Sequence, residues 1–113
     1  MFKLDLSATY WAKVELPVHA DNKIERFEFD VCFNRLAKSD IRALSEAAKK
    51  GELTDEQLVH KVVSDWKNIV DDSGNPIAFN STNADQISER VVNFAQKIAE
   101  VFFASINGVR EKN

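Results

Sequence analysis

The sequence has one cysteine, Cys32, so no disulfide can form within the chain and packing must hold it together. A lone thiol fits a reducing, cytoplasmic setting. Its three glycines, Gly51, Gly74 and Gly108, are scattered, and no glycine-rich phosphate loop exists. The two histidines, His19 and His60, belong to no HExxH pattern, and with no CxxC there is no zinc motif. No serine has GxSxG surroundings. Apolar runs last only a few residues, too few to span a membrane, and Met1–Leu6 lacks the apolar stretch of a secretory signal. The formal net charge of −3 argues against a surface dominated by nucleic-acid binding. These absences predict a non-enzymatic protein with no catalytic group, no cofactor and no metal.

What is present is amphipathic pattern. The length, 113 residues, suits one domain with one core. From 10 to 18 the apolar residues Tyr10, Ala12, Val14, Leu16 and Val18 alternate with Trp11, Lys13, Glu15 and Pro17, which predicts a half-buried strand. Pro17, which lacks an N–H, marks the strand's end as an edge or as the point where it leaves the sheet. After the polar turn residues 19–23, Phe27, Phe29, Val31 and Phe33 alternate with Arg26, Glu28, Asp30 and Cys32, predicting a second strand over 24–34 and hence an antiparallel hairpin. Phe2, Leu4 and Leu6 also alternate and leave room for a third short strand. Three phenylalanines on one strand face require an apolar cover, which helices downstream must supply.

Those helices are expected over 39–50, 54–69 and 82–107. Ser39 is the expected N-cap of the first, Ile41, Leu44, Ala47 and Ala48 its stripe, and Gly51 its left-handed stop. The short link to the next helix predicts that the two are neighbours. Thr54 and Gln57 form a capping-box pattern for the second, whose apolar face runs from Leu58 through Val62, Val63 and Trp66 to Ile69. Asn80, Ser81 and Thr82 offer caps for the third, and a break near 90–93 would divide it in two. The tail 109–113 is polar and expected to fray. The fold class is therefore α+β: a hairpin packed on three or four helices.

The turn cluster Asp71–Pro76 resembles the start of a calcium loop. Neither register, however, places Gly sixth and Glu twelfth, so it reads as a solvated turn. Between Trp66 and Phe79 the chain is expected to form a clasp, with Gly74 and Pro76 reversing it and Ile77 and Phe79 tucking under the domain. Cys32, with no cation expected nearby, reads as an inert thiol. Candidate contact residues are the surplus aromatics and aliphatics: Trp11 on the polar strand face, and Val101, Phe102 and Phe103, which overfill the last helix.

The strand AKVELPV, the aromatic strand ending FNRL, the segment GELTDEQLV, the pair DW and the stretch DDSGNPIAF, in this order, resemble a family of tail assembly chaperones from long-tailed phages and prophages. The resemblance runs over roughly residues 3–105. Its marker residues are Trp66, Asp72 (or Asp71), Gly74, Pro76 and Phe79. It implies a protein of the host cytoplasm, absent from the mature virion, that binds the tape-measure protein, keeps it soluble and recruits tail-tube subunits. It also implies no active site, and in many members a longer form made by frameshifting. The competing reading is another small phage or bacterial interaction module, such as a structural tail subunit or a regulator.

Overall fold

The computed structural model describes residues 7–108. The hairpin consists of β1 (Thr9–Ala20) and β2 (Lys23–Asn34), both longer than the alternation alone suggests. Its turn is only Asp21–Asn22, with φ of 47° and 66°. Two successive positive φ values match the twist of a two-residue hairpin, and Asp and Asn tolerate them better than other side chains. His19 consequently lies on β1 and not in the turn. Counting back from Ala20–Lys23, the pair Pro17–Arg26 falls at a non-hydrogen-bonded position, so the proline nitrogen faces away from β2. Pro17 thus costs the hairpin no bond, and β1 is an edge strand as expected.

Helix α1 (Lys38–Lys49) starts from Ala37, which makes no side-chain cap, so Ser39 lies inside the first turn and is not the N-cap. Its C-terminus closes as expected. Gly51 has φ 75°, Glu52 N–H donates to Ala47 O and Gly51 N–H to Ala48 O. No residue of α1 is buried, although Leu44 rests partly against the core. Helix α2 (Asp55–Val62) has its full capping box: Thr54 Oγ1 accepts from Gln57 N–H, and Gln57 Oε1 accepts from Thr54 N–H.

The expected helix over 54–69 stops at Val62. Residues Val63–Lys67 form β3, paired antiparallel with β2 in the order β1-β2-β3. Phe33 faces Val63 and Val31 faces Trp66, with a bulge between. Residues three apart on a regular strand point to opposite faces, so one inserted residue is needed to turn both Val63 and Trp66 inward. That residue is Ser64, whose hydroxyl donates to Cys32 O at 3.2 Å. Asn68, at φ 69°, ends the strand in a conformation no helix interior admits.

The expected helix over 82–107 takes its divided form, α3 (Ser81–Arg90) and α4 (Phe94–Ile106). Asn80 caps α3 by accepting from Asn83 N–H at 2.7 Å. Helix α4 lies on the inner sheet face and contributes Phe94, Ala95, Ile98, Ala99, Val101 and Phe102 to the core. The sheet contributes Val14, Leu16, Phe29, Val31 and Phe33, and α2 adds Leu58, Val59 and Val62. Tyr10, Phe33, Phe102 and Phe103 follow one another in ring contact. A second series runs Phe29, Phe94, Trp66, Phe79. The third strand considered at Phe2–Leu6 and the tail 109–113 lie outside the described residues.

Candidate protein-binding groove

Among the described residues no group of His, Cys, Asp and Glu could hold a metal. Cys32 is buried, although its strand pattern places it on the outer face. His60 on α2 hydrogen-bonds Asp85 on α3 at 2.8 Å and thereby ties two helices together. Among the described residues no helix is long and apolar enough to cross a membrane.

The clasp between Trp66 and Phe79 is formed, although Trp66 sits on a strand and not on the second helix. The buried indole donates Nε1–H to Ile77 O at 2.7 Å and meets Phe79 edge-on at 5.0 Å. Ile69 O accepts from Ile77 N–H, and Gly74 reverses the chain with φ 84°. Of the two aspartates, Asp71 organises the turn by accepting from the N–H groups of Ser73 and Asn75. Those donors, Asn75 first, hold its carboxyl below the usual aspartate range. Asp72 is exposed.

The candidate contact residues fare differently from one another. Val101 and Phe102 are core side chains, so no surface can be built from them. Helix α4 packs against the sheet and against α2, and this is why its apolar surface exceeds a one-sided stripe. Phe103 is half-buried against Phe102. Trp11 is 46% exposed on the outer sheet face, with Lys67 Nζ over its ring at 4.4 Å.

An open apolar surface lies elsewhere. The hairpin projects beyond α4, leaving Phe27 49% exposed on the same face as the buried Phe29. Beneath this overhang is a groove of about 400 Å³. Leu16, Val18 and Phe27 line it from the hairpin, Ile87 and Val91 from the end of α3, and Phe94 and Ile69 complete the lining. Val70, 54% exposed, stands at its edge. Asn93 in the α3–α4 elbow donates its side-chain N–H to Pro17 O at 2.9 Å and fastens the elbow to the hairpin. The polar groups in the lining already have partners: Glu28 pairs with Lys13 at 3.3 Å, and Asn68 donates to Asp30 at 2.7 Å. A site for a small polar ligand would offer converging free donors and acceptors. This one offers apolar surface, which suits a protein side chain or helix face. The sequence signal for it is the alternation continuing to Phe27, beyond the length one helix can cover.

A family model described as YdaY prophage protein matches residues 21–104, well over half of the chain. No curated protein and no solved structure matches it.

Proposed function

The chain belongs to the YdaY prophage protein family, and from that footing we propose that it acts as a non-catalytic tail assembly chaperone. In this reading it binds the tape-measure protein in the host cytoplasm, keeps it soluble, helps bring tail-tube subunits to it, and leaves before the virion is complete. The family description speaks only of a prophage. The tail role rests on the resemblance of GELTDEQLV and DDSGNPIAF, in their order along the chain, to tail assembly chaperones. The observation that carries it is the groove under the hairpin, whose apolar walls and engaged polar groups suit the apolar stripe of a helical polypeptide. A long helical protein exposes such stripes until it is coated, and a small domain that covers them keeps it from aggregating.

The test is co-expression with the tape-measure protein of the same prophage. The native chain should hold that protein in the soluble fraction and co-purify with it. Phe27→Asp combined with Val70→Asp, both on half-exposed positions, should release it to the pellet while the circular dichroism of the chain stays native. A soluble tape-measure protein beside the folded double variant would refute the groove as the binding surface. Insolubility with both chains would favour a tail subunit or a regulator instead.

A further inference from the structure

The groove does not end at Val70. Val70, Ile87 and Val91 also line an adjoining trough, to which the turn after β3 and the end of α3 bring charges of opposite sign. Asp71 and Asp72 come from the turn and Arg90 from the last turn of α3. The N–H groups of Ser73 and Asn75 that Asp71 accepts favour its ionised form. Together, groove and trough form an apolar surface that leads to charges of unlike sign.

We infer that the occupant is an amphipathic helix that carries lysine or arginine along the flank facing Asp71 and Asp72, and acid along the flank facing Arg90. This rests on the reading of the groove as a helix-binding site and adds the charge pattern and direction of the bound helix. Turning a helix end for end exchanges its flanks, so charges of opposite sign favour one direction only. Charges flanking coiled-coil seams set orientation by the same rule.

The probes are three labelled synthetic helices with an identical leucine stripe. One has lysines on one flank and glutamates on the other, one has lysines on both, and one has glutamates on both. The mixed helix should bind the intact protein roughly fivefold more tightly than either of the others, a preference that should vanish at ~0.5 M salt because these charges are screened. Arg90→Glu should move the preference to the all-lysine helix. Equal binding of all three, still abolished by Phe27→Asp, would overturn the charge inference and leave the groove standing. Binding indifferent to Phe27→Asp, or no binding of any probe, would overturn both. Self-association of the protein that Phe27→Asp dissolves would place a second copy in the groove and also overturn it.

Discussion

The inner face of the hairpin is one continuous alternation with two fates. At its root, Tyr10, Val14, Phe29 and Phe33 meet α4 and are buried or half-buried. Toward its tip, Phe27 follows the same period but stands half exposed, because α4 begins at Phe94, beside Phe29. Periodicity therefore reports which face of a strand is apolar. Whether that face is covered depends on the length and position of an element far away in sequence. The root is core and the tip is available surface, although their residues are chemically alike.

Substitution should separate the two. Phe102→Ala, which removes the ring packed on Phe33 at 5.2 Å, should cost about 3–5 kcal/mol in denaturant unfolding. Phe27→Ala should cost under about 1 kcal/mol. Similar losses at both sites would erase the distinction. Between these extremes lies Trp66→Phe. It keeps most of the ring packing but removes the donor to Ile77 O, and should lower stability by about 1–3 kcal/mol. A neutral result would mean that the clasp beside the groove is held by packing alone. The smallest effect is expected at the exposed Asp71. Its folded carboxyl is more acidic than an ordinary aspartate, so its contribution is present at pH above that ordinary range. It should fade as pH falls through the lower folded value. Stability of the native chain should therefore exceed that of Asp71→Asn at neutral pH, with the gap closing below pH ~3.9. A gap that widens on acidification would contradict this sign.

Much of the fold is legible in the sequence because local rules and tertiary packing agree. The alternation gives the hairpin, Thr54 and Gln57 start α2, and Asn80 starts α3. The failure at 63–67 has a specific cause. Val63 and Trp66 are three apart, the spacing of a helix face, and a bulged strand puts the same spacing on one face. Only the free edge of β2, invisible to a local reading, decides between them. Ser39 fails as a cap because α1 begins earlier, at Lys38. The overfilled α4 suggests a contact surface, yet Val101 and Phe102 are surplus only if the helix has one buried side. It has two. The groove is not legible locally because its lining comes from β1, β2, the segment after β3, α3 and α4, which no single window of sequence contains.

Tyr10 and Ser105 meet through their hydroxyls at 2.8 Å across 95 positions of sequence. Since Ser105 already donates to Phe102 O, Tyr10 is the donor. Read as a matter of timing, this bond joins a strand that leaves the ribosome early to a helix that leaves late. The hairpin, closed by a local turn, can form while most of the chain is still being made, whereas its cover arrives only with α4. In that interval Phe29, Val31 and Phe33 lack the cover that α4 gives them in the finished fold. A chain that would shield the apolar stripes of another protein thus passes through a stage at which its own are unshielded.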